Sequence, residues 1–220
     1  MMKYGRLIPV LSLITNFFIF AITVFSVSLF FVAKGQGNME VVGAKCFKYF
    51  TVDSNILAAL ASAAVVAFQL KNIISGRLAA KGALPEWLRI FKFVSAASVM
   101  LTFLTVVFFL GPMMGYGKMF EGTNLFLHLT TPLAALVSLL FLESGARIAP
   151  GLFILGVVPM LLYGTVYVSM VVFVRKWQDF YMFNVSGVWW ISALIMTAAT
   201  AAIAFGIGYL ANIISKNLIK

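Results

Sequence analysis

The chain has 220 residues, of which 63% are apolar and 10% charged, and its mean hydropathy is +1.06. A water-soluble domain of this length carries about 25% charged residues, so a soluble enzyme or adaptor is excluded. The net charge of +10 comes from lysines and arginines set singly or in small groups beside apolar runs. That placement suits orientation and attraction to anionic headgroups, and no basic run alternates with aromatics as a nucleic-acid surface would require.

Six apolar runs are long enough to cross a hydrocarbon core of about 30 Å: residues 7–33, 49–70, 89–114, 124–142, 150–174 and 187–214. They predict an all-α polytopic membrane protein, a single six-helix transmembrane domain over residues 1–220 with only short connectors. The first run follows Met1–Arg6. It is too long for a signal-peptide core and lacks a small-residue cleavage site, so it reads as a retained span. Cys46, the sole cysteine, excludes an intrachain disulfide and a thiolate metal site.

Span two is rich in small residues (Ala58, Ala59, Ala61, Ser62, Ala63, Ala64, Ala67), as is span six (Ala198, Ala199, Ala201, Ala202, Ala204, Gly206, Gly208). Small faces let helix backbones approach closely in lipid, which predicts that these two helices are central or tightly packed. The second connector, Asn72 to Leu88, holds Gly76, Gly82, Pro85 and most of the basic residues and reads as a loop with interfacial turns. In span five, Pro159 with Gly156 and Gly164 nearby predicts a kink. Tyr163 and Tyr167, four residues apart, share one face, which either lines a cavity or packs with its hydroxyls bonded to neighbouring helices. Trp189, Trp190, Tyr181, Trp177 and Tyr116 gather at one membrane boundary and Trp87 at the other; such aromatics are anchors more often than ligand contacts. Asn184-Val185-Ser186 matches a glycosylation sequon but abuts span six, where a coincidental match is the better reading.

An even number of spans puts both termini on one side. That side collects Lys3, Arg6, Lys71, Arg77, Lys81, Arg89, Lys92, Arg147, Lys216 and Lys220, and the other Lys34, Lys45, Lys48, Lys118, Arg175 and Lys176. The richer side is expected to be cytoplasmic, so the first, third and fifth connectors face outside.

This topology brings Thr51, at the start of span two, and His128, the only histidine, at the start of span four, to matching depths below the same face. A hydroxyl and an imidazole at one depth are the parts of a nucleophile and its base. Ser54 and Asn55 share the helix face of Thr51, while Asn124 and Thr131 share that of His128. Two polar stripes in so apolar a chain must find partners away from lipid. Pro132 lacks the N–H that would bond the His128 carbonyl, so a bend and a freed acceptor are expected beside the ring. Helix N-termini at both positions would stabilise an oxyanion and keep the imidazole neutral. Asn124 is placed to orient His128, and Ser54 or Asn55 to steady an oxyanion. Asp53 points away from Thr51 and suits a helix cap; Glu121 and Asp179 are looser possibilities for a third member.

Plainer roles exist for each residue. A threonine in a membrane helix more often bonds the carbonyl one turn back than attacks an ester. An intramembrane histidine can serve interhelical hydrogen bonding alone, and Ser54 and Asn55 can simply join helices.

The six-span plan, the stretch Phe50-Thr51-Val52-Asp53-Ser54-Asn55 and the element Asn124-x-x-x-His128 resemble the family of androgen-induced and androgen-dependent TFPI-regulating membrane proteins and their bacterial six-span relatives. The resemblance covers nearly the whole chain in plan and about a dozen residues in motif. Animal members are threonine hydrolases of fatty acid esters of hydroxy fatty acids, and the resemblance implies Thr51 as nucleophile, His128 as the essential histidine and Asn124 as the matching asparagine. Leu125 and Leu129 replace a histidine and a threonine of the family motif.

The expected function is therefore an integral-membrane, metal-independent threonine hydrolase that cleaves a lipid ester through an acyl-threonine. It would need no cofactor and would have membrane lipids as its surroundings. The expected location is a bacterial cytoplasmic membrane, with the site near the extracytoplasmic face. The alternative is a non-catalytic lipid-binding or transport protein, or a structural assembly subunit. Against transport, the sequence offers no charged pair deep in any span and no evident inverted repeat. One histidine without a cysteine pair also lacks the ligands of a zinc-dependent membrane hydrolase.

Overall fold

The computed structural model describes residues 7–32, 43–75 and 84–218. Met1–Arg6, Gly76, Gly82 and the charges Lys34, Arg77, Lys81 and Lys220 lie outside the described residues. Among the described residues six helices are long and apolar enough to cross a membrane: α1 (Leu7–Val32), α2 (Phe50–Ile74), α3 (Glu86–Met114), α4 (Thr123–Leu142), α5 (Pro150–Phe173) and α6 (Trp189–Lys216). Each coincides with one predicted run to within a few residues, and the chain is an all-helical, multi-pass membrane protein.

Helix α1 lies against α2 and α4, and α2 against α3, while α3 touches α2, α4, α5 and α6. The centre of the bundle is thus α3, with 56% of its most apolar stretch buried against 22% for α6. Span six is therefore not central, but its small residues do pack tightly, the other arrangement expected of it, against α3 and the start of α5. A Cβ on Gly156 would fall 2.7 Å from the Ala204 Cβ, and one on Gly208 would fall 2.5 Å from the Phe153 ring. The first turns of α5 and the middle of α6 therefore approach at a distance that only glycine allows. Pro159 makes no mid-helix kink. It stands near the start of the regular α-helical part of α5, just after a 3₁₀ stretch over Pro150–Val157, where a missing N–H costs little.

The sequence reading overlooked a buried ion pair. Lys92 and Glu143 are both 0% exposed, with Nζ 3.8 Å from Oε2, so a charged pair does lie inside the bundle. Neither charge could remain there alone, because an isolated ion in a low-dielectric interior loses its hydration without repayment. Four helices therefore supply partners. Ser12 and Ser138 hydroxyls donate to Glu143 Oε1 at 2.9 and 2.6 Å, and Asn16 Nδ2 donates to the same oxygen. Lys92 Nζ donates to Asn16 Oδ1 at 2.7 Å and to Ser62 Oγ at 3.3 Å, and Gln69 Nε2 donates to Ser12 Oγ at 2.8 Å.

This network fixes one rung across α1, α2 and α4, and an apolar contact of Phe30, Val52 and Leu127 fixes another. Between the rungs, the 18 residues from Ser12 to Phe30 run beside the 17 from Gln69 back to Val52 and the 16 from Glu143 back to Leu127. The helices thus advance almost residue for residue. Ile19, Ala58 and Ala135, between the two rungs, belong to one core cluster.

Lys92→Met and Glu143→Gln should each lower stability by about 3–5 kcal/mol, the cost of stranding a buried partner. The double variant should lose clearly less than the two single losses combined. Reversible unfolding of the three variants in detergent measures this coupling.

Candidate functional site

Thr51 enters α2 one residue after its first, following a 3₁₀ turn at Gly43–Lys48 and an extended Tyr49. Only 6% of it is exposed. Its side chain faces a narrow cavity of about 80 Å³ whose walls include Leu101, Thr105, Met160, Tyr163 and Tyr181. One turn on, Ser54 Oγ donates to the Thr51 carbonyl at 3.2 Å and shares a 2.9 Å hydrogen bond with Thr102 of α3. Asn55 Nδ2 donates to the Thr51 carbonyl at 2.7 Å and, across the interface, to the Leu127 carbonyl at 2.9 Å. Spans two and four are therefore neighbours at the level the sequence predicted, and Asn55 ties them together.

His128 follows Leu127 and is 1% exposed. It sits in a π-helical turn over Phe126–Thr130, in which the Thr131 N–H reaches back to the Phe126 carbonyl. The turn takes in one extra residue just ahead of Pro132, and such turns recur at functional sites. His128 Nδ1 lies 2.6 Å from the Met119 carbonyl oxygen. A carbonyl only accepts, so Nδ1 carries the proton, and the neutral ring presents Nε2 as a bare acceptor.

Several expected roles change. The orienting partner of His128 is the Met119 carbonyl rather than Asn124, whose Nδ2 donates to the Lys118 carbonyl at 3.3 Å. Asn124 thus steadies the turn that presents Met119. Both amide hydrogens of Asn55 are engaged, so its side chain has no donor left for an oxyanion. The Ser54 hydroxyl is held between Thr51 and Thr102. Asp53 makes no cap bond at the start of α2 and lines a groove against α5 beside Phe50 and Trp177. His128 does not line the cavity that Thr51 faces.

The segment between α5 and α6 contributes what the sequence reading treated as membrane anchors. Asp179 accepts from the Tyr167 hydroxyl at 2.9 Å and from the Phe183 and Asn184 N–H groups at 2.7 Å each, so it organises this loop. The loop sets Tyr181 in the cavity wall, where its hydroxyl adjoins those of Tyr163 and Thr51 and the Phe50 N–H. Burial pushes the Tyr181 hydroxyl up to about 12, against the pull of those neighbours, so it stays protonated and a donor at physiological pH. Tyr163 donates to the Lys48 carbonyl at 2.8 Å; the paired tyrosines of α5 both line the cavity and bond outward. Burial, and next the Asp53 carboxylate, raise the Cys46 thiol, which leaves it a poor nucleophile.

A second, more open cavity of about 650 Å³ lies between α3 and α6, and it shares Leu101, Thr105, Phe109, Tyr181, Phe183 and Met196 with the first. Thr102 and Thr105 of α3 line the first cavity and Thr105 also the second, a pair of hydroxyls three residues apart that the sequence analysis passed over. Among the described residues no three His, Cys, Asp or Glu side chains are grouped to hold a metal ion.

No family model, curated protein or solved structure matches the chain.

Nitrogen NMR of ring-labelled protein near neutral pH should show Nδ1 protonated and Nε2 unprotonated. The opposite tautomer would mean that the bond to Met119 does not fix the ring.

Proposed function

We propose that this chain is an integral-membrane threonine hydrolase that cleaves a lipid ester, with Thr51 as nucleophile and His128 as base. The observation that carries the reading is the bond from His128 Nδ1 to a carbonyl, which leaves Nε2 free to take a proton. The ring follows directly the residue whose carbonyl Asn55 grips, and Thr51 lies one turn from Asn55. The resemblance of the Phe50–Asn55 stretch to the androgen-induced family supports the same assignment.

In this scheme the ester enters sideways from the bilayer, its acyl chain lying in the apolar space between α3 and α6. Thr51 Oγ1 gives its proton to His128 Nε2 and attacks the carbonyl carbon. The tetrahedral oxyanion is met by donors near the start of α2, the Tyr181 hydroxyl and the Thr51 N–H, since the Val52 and Asp53 N–H groups already bond the Tyr49 carbonyl. His128 returns the proton to the departing alcohol, and an acyl-threonine remains for water to hydrolyse. Both termini lie in the cytoplasm in this reading, and the site opens towards the extracytoplasmic leaflet. Lys92, paired inside the bundle, no longer counts as a free flanking charge, but the rest of the Lys and Arg bias still points the same way.

One observation favours a second reading, a lipid-binding protein without turnover: the cavity wall contains Thr51 but not His128. Hydrolysis of p-nitrophenyl octanoate by the purified chain in detergent separates the two. The hydrolase reading expects Thr51→Ala to abolish turnover and His128→Ala to lower kcat by about 10²–10⁴-fold, with both variants folded. Octanoate-ester binding without release of p-nitrophenol would favour the lipid-binding reading.

A further inference from the structure

Hydroxyls elsewhere in the helices follow one habit. Ser95, Ser98, Thr165, Ser169, Thr197 and Thr200 each donate to a carbonyl three or four residues back in their own helix. Thr23 and Ser26 of α1 and Thr131 of α4 do not. All three are buried, and their hydroxyl oxygens have no partner among the described residues; the same holds for Asn55 Oδ1.

These orphans share one level. Ser26 lies four residues before Phe30, Asn55 three after Val52, and Thr131 four after Leu127. Phe30, Val52 and Leu127 form a single packed rung, so a step of about one turn along each helix brings Ser26, Asn55 and Thr131 to the next. Thr23 is three residues further along the same buried face of α1. Beyond Thr23 the helices turn apolar, with Ile19 and Ala135 in the core cluster, and Ala58 of that cluster stands at the depth of Thr23 by the same count. A polar layer is thus sealed between two apolar ones, just beneath His128, where Pro132 also deprives the His128 carbonyl of its usual helical donor.

An unpaired buried hydroxyl or amide oxygen costs about 1–3 kcal/mol, and orphaned groups gathered at one level mark a bound water or ion. The chemistry selects between them. Asn55 Oδ1 can only accept and the three hydroxyls both donate and accept, so water satisfies the set without adding charge. No carboxylate is among them to compensate a cation. We infer that Ser26, Asn55, Thr131 and Thr23 hold ordered water between α1, α2 and α4, and that this water serves the hydrolysis of the acyl-threonine.

The second half of this inference rests on the hydrolase reading. In that step a water oxygen adds to the acyl carbonyl carbon while His128 Nε2 takes one of its protons. The bond from that carbon to Thr51 Oγ1 then breaks, the proton passes from His128 to Oγ1, and the free carboxylic acid departs. A store of water inside the bundle supplies the second substrate from the side opposite the apolar entrance.

Two measurements on the full chain test this. A high-resolution experimental density map should show water within hydrogen-bonding distance of Asn55 Oδ1 and the Ser26 and Thr131 hydroxyls. Hydroxyls turned onto their own helix carbonyls with no such density would overturn the site, and so would sodium-dependent thermal stability that Thr131→Val abolishes, the mark of an alkali cation. Stopped-flow hydrolysis of p-nitrophenyl octanoate should show Thr131→Val and Ser26→Ala with an unchanged burst rate and a steady-state rate at least about tenfold lower, a deficit of at least 1.4 kcal/mol in the deacylation step. An unchanged steady-state rate in both variants would overturn the water's role. A wild-type chain with no Thr51-dependent burst would instead remove the hydrolase reading and that role with it, leaving the density to decide the site.

Discussion

A lysine and a glutamate sealed from solvent can coexist with lipid only if each other's charge and nearby polar groups replace their hydration, and here four helices provide those groups. Asn16 is central to the network, donating to Glu143 and accepting from Lys92, so that α1, α3 and α4 are held at one register. Gln69 and Ser62 bring in α2. A slip of one residue along any of these helices would strand an ion, a penalty larger than a single apolar contact could offset. Roughly one bundle length away, the same register sets Asn55 against the Leu127 carbonyl and places His128 beside α2. The chemistry proposed at one end thus depends on the electrostatics of the other.

The six spans were legible because bilayer thickness demands long apolar runs, and nothing in the connectors competes with that signal. The helical spacing of Thr51, Ser54 and Asn55 made contact between spans two and four the economical arrangement without showing it, and the stripe's partners are in fact divided, Ser54 meeting Thr102 of α3 and Asn55 the Leu127 carbonyl of α4. Helix spacing, however, reports which side a residue takes and not which atom it meets. Asn124 has the right spacing to orient His128, yet a carbonyl outside the helix, that of Met119, does so. Main-chain groups leave no mark in a sequence. Lys92 was misread for a related reason. It closes a basic connector and so counts as a flanking charge, and its partner lies 51 residues on, just past the end of another span. Only tertiary packing reveals the pair.

Tyr181 illustrates a third limit. Aromatics at a membrane boundary are usually anchors, and the neighbouring tryptophans fit that description. Tyr181 differs because Asp179, an acid with no sequence motif around it, gathers the Tyr167 hydroxyl and two N–H groups and folds the loop back over the cavity. The result is an apolar chamber with hydroxyls at one end and an opening between α3 and α6. In the proposed function that apolar space is where the acyl chain of the lipid ester would lie.

The most direct test of the account is the site of covalent attachment after treatment with a long-chain alkyl fluorophosphonate, located by peptide mass spectrometry of the digested protein. The account predicts a single adduct on the peptide containing Thr51, carried by that hydroxyl and absent when His128 is replaced by alanine. An adduct on Ser54, Thr102 or Tyr181 instead, or attachment to Thr51 that persists without His128, would contradict it.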